Sequence, residues 1–243
     1  MTEKSSNEFA GRFLDLEENY KEIRFRMEEA ALRSGRRPEE VELLAATKTV
    51  PVEVINRGIE LGIGHIGENK VQELLQKYDR YGKTDVQFIG ALQTNKVKHL
   101  IGRVSMIESV GSVKLAGEIS RLAEKQGGVM DILIEVNIGR EENKSGVFPE
   151  QLMELLMETA LFPGVRVRGL MAIPPFDASK EETRAFFSKM AQYFVDIKSK
   201  RIDNVTMDYL SMGMSGDYED AILCGANLVR LGTALFGPRL YKK

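Results

Sequence analysis

Eight short runs of branched and apolar residues alternate with amphipathic stretches along this chain. The runs are VELLAATK (41–48), GHIGE (64–68), VQFIGAL (86–92), VSMIESV (104–110), MDILIEVNI (130–138), VRVRGLMAI (165–173), MDYLSMG (207–213) and NLVRLG (227–232). Between them lie segments with helical spacing of apolar residues, among them PVEVINRGIELG, NKVQELLQKYD, SVKLAGEISRLAEKQG, PEQLMELLMETALF and SKEETRAFFSKMAQYFVDIKSK. Pro51 and Pro149 stand at helix starts, where a missing N–H costs little. Several runs are almost wholly apolar, as parallel strands covered on both faces should be. Strand and helix alternating eight times predicts an α/β fold, a single (β/α)8 TIM barrel. A doubly wound open sheet would carry a glycine-rich phosphate turn after its first strand. Here that turn is KTVPVE, without glycine.

Ahead of the first run, Phe13, Leu14, Leu16, Tyr20, Ile23 and Met27 recur at helical spacing, and Gly35 is a stop signal. An extra N-terminal helix over about 5–35 is expected, covering the outside or the bottom of a barrel over about 41–237. With no low-complexity linker or composition shift, 1–243 reads as one domain. The 43% hydrophobic and 29% charged content is that of a soluble globular protein. A formal net charge of −2 favours neither nucleic acid nor an acidic membrane as partner. The polar start MTEKSSNEFAGRF has no signal-peptide core, and no apolar run reaches membrane-spanning length. A lone cysteine, Cys224, excludes an intrachain disulfide and points to a reducing, cytoplasmic setting. In EDAILCGANL it reads as a small buried apolar residue. His65 and His99 lack a second ligand at metal spacing, so no metal is expected.

Barrel chemistry gathers at the C-terminal ends of the strands. Those ends carry Lys48, Glu68-Asn69, Gln93 with Asn95-Lys96, Ser109, Asn137, Met171, Ser211 to Ser215, and Arg230 with Gly232-Thr233. A strand-end lysine ordinarily reaches into water. The residues before Lys48 are too small to cover it, so its ammonium would sit in the barrel mouth. Desolvation there favours the neutral amine, a nucleophile toward carbonyls. In VRLGTALFG, a strand, Gly232-Thr233 and a helix start suit a phosphate, although a glycine after a strand is also an ordinary turn. Ser215, in SMGMSGDYEDAI, either donates to a phosphate or caps the following helix. Arg230 ends an apolar strand and needs a partner. That partner is either a ligand's nitrogen, phosphate or carboxylate, or an internal acid, for which Glu68, Glu108 and Glu135 are available. An aldehyde-reactive lysine, an anion site and an arginine donor are together satisfied by a phosphorylated aldehyde. Pyridoxal 5′-phosphate is the commonest cofactor of that kind.

From Val41 to Gly237 the chain resembles the pyridoxal-phosphate homeostasis protein family, single-domain relatives of the alanine racemase barrel. The resemblance is carried by LLAATKT, GENKVQE, FIGALQTNK, VNIGREENKSGV, GLMAIP, LSMGMSGDYEDAI and VRLGTALFGPR, in that order. It implies Lys48 as the internal aldimine lysine, Asn69 near the cofactor, Ser215, Gly232 and Thr233 on the phosphate, and Arg230 facing the pyridine nitrogen. Two strand ends depart from the family pattern. Ala91 stands where the third-strand motif often has histidine, and the fourth reads ESVG, with Glu108 and Gly111, where His-Ser-Val-Asp is common. Lys144 matches a basic family position and reads as a solvated loop residue.

The expected function is to buffer or deliver pyridoxal phosphate inside the cell, with apo enzymes that use the cofactor as possible recipients. The alternatives are an amino-acid racemase or related aldimine enzyme, and a Schiff-base aldolase acting on a sugar phosphate. Racemase activity is expected to be weak or absent. Racemisation needs an acid–base group on each face of Cα, and the chain ends soon after its eighth strand, without the second domain that supplies the opposite-face tyrosine in two-domain racemases.

Overall fold

In the computed structural model, which describes residues 9–238, eight parallel strands close on themselves in chain order, β8 pairing with β1. The strands are β1 (Glu42–Ala46), β2 (His65–Glu68), β3 (Asp85–Phe88), β4 (Met106–Val110), β5 (Met130–Val136), β6 (Val165–Ala172), β7 (Val205–Ser211) and β8 (Leu228–Leu231). The helices are α1 (Ala10–Arg33), α2 (Val52–Glu60), α3 (Val71–Lys77), α4 (Val113–Lys125), α5 (Leu152–Ala160), α6 (Lys180–Lys200), α7 (Tyr218–Leu223) and α8 (Thr233–Phe236). Only a 3₁₀ segment, Thr94–His99, joins β3 to β4. Ser179 opens α6 with a capping box, its hydroxyl accepting from the Glu182 N–H while the Glu182 carboxylate accepts from the Ser179 N–H.

The side-chain period of two sorts each strand onto two faces. Leu44, Ile89, Met106, Leu133, Met171 and Leu228 fill the barrel, while a larger apolar layer lies between strands and helices. At Gly67 an added Cβ would sit 2.4 Å from the Leu44 side chain, so glycine makes room inside and the next residue, Glu68, faces outward. The N-terminal end of the barrel is closed by polar pairs. His65 lies between Asp85 (Nδ1–Oδ2 2.8 Å) and Glu42 (Nε2–Oε2 2.9 Å), which raise its pKa to about 9, and Arg168 bridges Asp131 and Asp208.

The expected N-terminal helix is α1; residues 5–8 of the expected span lie outside the described residues. Leu16, Ile23, Met27, Ala30 and Ala31 form its buried stripe. It lies on the outside of the barrel, not at its bottom. Asn19 Nδ2 donates to the Leu235 carbonyl of α8 at 3.2 Å, and Arg26 pairs with Glu219 of α7.

Three expectations are corrected. The run VQFIGAL ends its strand at Phe88 rather than Leu92. Cys224 is half-exposed, because it stands in the turn leaving α7, with Sγ 3.8 Å from the Arg184 carbonyl. Glu68 is no partner for Arg230, since it points to the outer face. Among the described residues no helix is long and apolar enough to cross a membrane, and no group of three or more His, Cys, Asp or Glu side chains could hold a metal ion.

Candidate functional site

Lys48 leaves β1 through a backbone clamped on both sides. Thr47 is fully buried; its hydroxyl donates to Glu68 Oε1 at 2.8 Å, and its carbonyl accepts from Lys77 Nζ at 3.0 Å. Thr49 sits at φ 64°, a left-handed conformation that a β-branched residue rarely adopts. Its N–H donates to Glu73 Oε1 at 2.5 Å. Lys77 joins both halves of this clamp, reaching Glu68 at 3.0 Å and Glu73 at 2.6 Å. The Tyr81 hydroxyl also donates to Glu68 Oε1, at 2.7 Å, and burial, followed by the Glu68 charge, pushes its pKa up. Left-handed backbone at a non-glycine residue costs about 1–3 kcal/mol and persists where surrounding contacts over-determine it. The clamp supplies those contacts beside Lys48.

The clamp has a measurable signature. Thr49→Gly is expected to be more stable than Thr49→Ala by about 1 kcal/mol, the reverse of their order in a helix. Glu73→Ala is expected to cost about 1.5–3 kcal/mol, the value of a hydrogen bond to a charged group. Urea unfolding midpoints at constant m-value measure both; Ala equal to or above Gly at position 49 contradicts the account.

Half-buried Lys48 shares one pocket with Gly232 and Thr233, between the end of β1 and the end of β8. Ser215 stands against the same turn, its Oγ accepting from the Ala234 N–H at 3.0 Å. The helix-cap alternative for Ser215 is thereby overturned. Asp217 is the N-cap residue of α7, its carboxylate accepting from the Met214 N–H at 2.6 Å, while Ser215 ties the β7 loop to the first turn of α8.

Asn69 follows β2 at the mouth. Its Oδ1 is buried and has no hydrogen-bond partner among the described residues. A Cβ at Gly90 would lie 2.1 Å from the Asn69 carbonyl oxygen, so only glycine lets the chain leaving β3 pass here.

Arg230, 4% exposed, pairs with Leu44 in the β1–β8 register and so points into the barrel. Nη1 donates to Ser211 Oγ at 2.5 Å and Nη2 to the Ala172 carbonyl at 3.0 Å. Ser211 in turn donates to Glu108 Oε2 at 2.5 Å, which lies 3.9 Å from Nη1. The internal acid is therefore Glu108, with Glu135 and Asp217 adding favourable charge around the guanidinium. Burial raises the pKa of both Glu108 and Glu135, against the pull of Arg230. One oxygen of each, Glu108 Oε1 and Glu135 Oε2, is buried without a hydrogen-bond partner among the described residues.

Other polar strand ends serve the scaffold. Asn137 spends its amide on the 139–147 loop, donating to the Glu141 carbonyl at 2.8 Å and accepting from the Glu141 N–H at 3.0 Å. Gln93, just before the 3₁₀ segment, and Asn95 on it are exposed, and Lys144 pairs with Glu141 at the surface. Thr47, Glu73 and Lys77 were not legible as site residues, and Ser211 was legible only as a polar strand end, without its tie to Arg230. Glu73 and Lys77 show at i,i+4 spacing in sequence, which signals only a helix-surface pair.

A parallel eight-stranded barrel with a lysine at the end of β1, facing a Gly-Thr turn after β8, defines the class. Residues 19–239 match the family model described as alanine racemase, N-terminal domain. The chain belongs to the pyridoxal phosphate homeostasis protein family. The protein of that name from Aquifex aeolicus (strain VF5) is 47% identical over 218 residues, 89% of this chain and 95% of that one. The one from Escherichia coli (strain K12) is 36% identical over 234 residues, covering 94% and 99%. The solved structure of PipY from Synechococcus elongatus PCC7942, with PLP bound, superposes with a TM-score of 0.79 at 28% identity, covering 91% of this chain and all of that one.

Proposed function

We propose that this protein binds pyridoxal 5′-phosphate and buffers or delivers it in the cytoplasm, to apo enzymes that require it. The observation that carries this is the placement of Lys48 in one pocket with Gly232 and Thr233, with Ser215 fastened to the same turn. The names of the relatives and the PLP-bound PipY structure support it.

The residues fit the group by their chemistry. Pyridoxal phosphate supplies an aldehyde that condenses reversibly with amines, a dianionic phosphate and a pyridine ring. Lys48 offers the amine at a backbone position held by Glu73 and Lys77. Ser215 and Thr233 offer hydroxyls and Gly232 a close backbone for the phosphate. The buried Asn69 Oδ1, without a hydrogen-bond partner among the described residues, can accept a hydrogen bond from the ligand or from an ordered water. Arg230 carries only donors, so at a ring nitrogen it holds a hydrogen and does not take one. Ser211 and Glu108 keep the guanidinium in place.

Phosphate recognition is tested by comparing ligands with and without the phosphate. Thr233→Val is expected to weaken pyridoxal 5′-phosphate about ten- to a hundredfold, the effect of losing a hydrogen bond to a charged group. Pyridoxal itself should bind the variant and the parent alike. Equal losses for both ligands, read by absorbance titration, would place the phosphate elsewhere. Protein purified without added cofactor is expected to be yellow, and a colourless protein that takes up no cofactor counts against the proposed function as a whole.

A further inference from the structure

The pocket shared by Lys48, Gly232 and Thr233 has a wall from outside the barrel. Arg12, in the first turn of α1, lines it together with Phe236 and Gly237. Among the described residues, the lining holds two cationic side chains, Arg12 and Lys48, and no carboxylate.

Arg12 is placed there by the packing of its helix. Seven residues are close to two helical turns, so Arg12 and Asn19 lie on the same face of α1, about 10 Å apart along the axis. Asn19 holds that face to α8 through the Leu235 carbonyl, and Leu16 between them is buried. α8 begins at Thr233 and ends at Phe236, so the face that docks on it carries Arg12 past it to the pocket. Other arginines nearby are committed. Arg24 pairs with Glu28, Arg26 with Glu22 and Glu219, and Arg57 with Glu17 and Glu60. Half-buried Arg12 forms no salt bridge and no side-chain hydrogen bond among the described residues. A guanidinium partly withdrawn from water, facing a pocket whose described lining carries no carboxylate, suits a dianionic phosphate monoester, which its planar fork can engage through two parallel hydrogen bonds.

We propose that Arg12 binds the phosphate of the cofactor, so that the N-terminal helix forms one wall of the site and is fastened by the ligand. This rests on the proposed function above and adds to it a residue outside the barrel.

The test uses the full chain and titrates pyridoxal 5′-phosphate, pyridoxal and inorganic phosphate against parent, Arg12→Ala, Arg12→Lys and Thr233→Val. Arg12→Ala is expected to weaken pyridoxal 5′-phosphate about ten- to a hundredfold, with pyridoxal unchanged. Arg12→Lys should fall between, since the charge remains without the fork. Inorganic phosphate should compete with the cofactor in the parent and lose potency in Arg12→Ala. Hydrogen exchange supplies a readout apart from affinity: amides of residues 13–20 should slow on cofactor binding in the parent and not in Arg12→Ala at saturation. Three results overturn the proposal: unchanged affinity in Arg12→Ala, equal weakening of pyridoxal and its phosphate, or equal slowing of exchange in both proteins. If Thr233→Val separates the two ligands and Arg12→Ala does not, only the role of Arg12 falls. If neither variant separates them, the phosphate site itself is misplaced.

Discussion

Lys48→Ala is expected to abolish covalent capture of the cofactor. Borohydride reduction of the parent with pyridoxal 5′-phosphate should leave a phosphopyridoxyl mass on the peptide containing Lys48; in Lys48→Ala no peptide should carry it in comparable yield. The basis is positional. Lys48 is fixed between the Thr47 carbonyl, held by Lys77, and the Thr49 N–H, held by Glu73. It shares its pocket with the Gly232–Thr233 turn. A surface lysine has no such restraint, and every degree of freedom frozen before reaction favours one amine over the others. Affinity should fall by more than about tenfold but not vanish, because the phosphate contacts are independent of the amine. A phosphopyridoxyl mass on another lysine of the parent, with none on Lys48, would sink the assignment while leaving the phosphate test unaffected.

The second large effect concerns the barrel interior. Glu108→Leu is expected to destabilise the protein by about 3–5 kcal/mol, because it removes the acceptor of Ser211 and leaves the buried Arg230 without its hydrogen-bonded acid. Glu135 and Asp217 still face the guanidinium, which favours the lower part of that range. Glu108→Gln should cost less than Glu108→Leu, because an amide oxygen still accepts from Ser211. The pH dependence has a definite sign. The folded state holds the Glu108 proton more tightly than the unfolded chain does. The stability this contributes is therefore complete below the ordinary glutamate pKa of about 4.3 and is lost as pH rises through the raised folded value. Glu108→Gln removes that decline. Urea unfolding across this window measures it, and parallel pH profiles for parent and Gln variant would contradict the assignment.

Glu108, in the fourth strand, is thus the residue that anchors Arg230 through Ser211. Of three glutamates able to pair with Arg230 on sequence grounds, strand parity removes Glu68. It lies one residue from inward-facing Gly67 and is claimed by Lys77, Tyr81 and Thr47. Parity is easy to apply once a face is known. The face of β2 is known only because Leu44 fills the space over Gly67.

Repeated short-range order made the barrel legible. Each strand and helix carries its own period, so eight strands, the N-terminal helix and the strand-end positions of Lys48 and Arg230 were written in the chain before any contact was known. What the tertiary structure alone decided are meetings between distant segments. Ser215 caps no helix of its own segment but accepts from Ala234, 19 residues on, and Ser211 finds Glu108 across 103 residues. The third strand stops at Phe88, and two residues on Gly90 passes so close to the Asn69 backbone that no side chain fits, a constraint arising between neighbouring strands. Arg12 reaches the pocket because α1 docks on α8 at the opposite end of the sequence. Local periodicity is set by the backbone geometry of a few residues, whereas these meetings are set by barrel closure, which brings the first and last strands side by side.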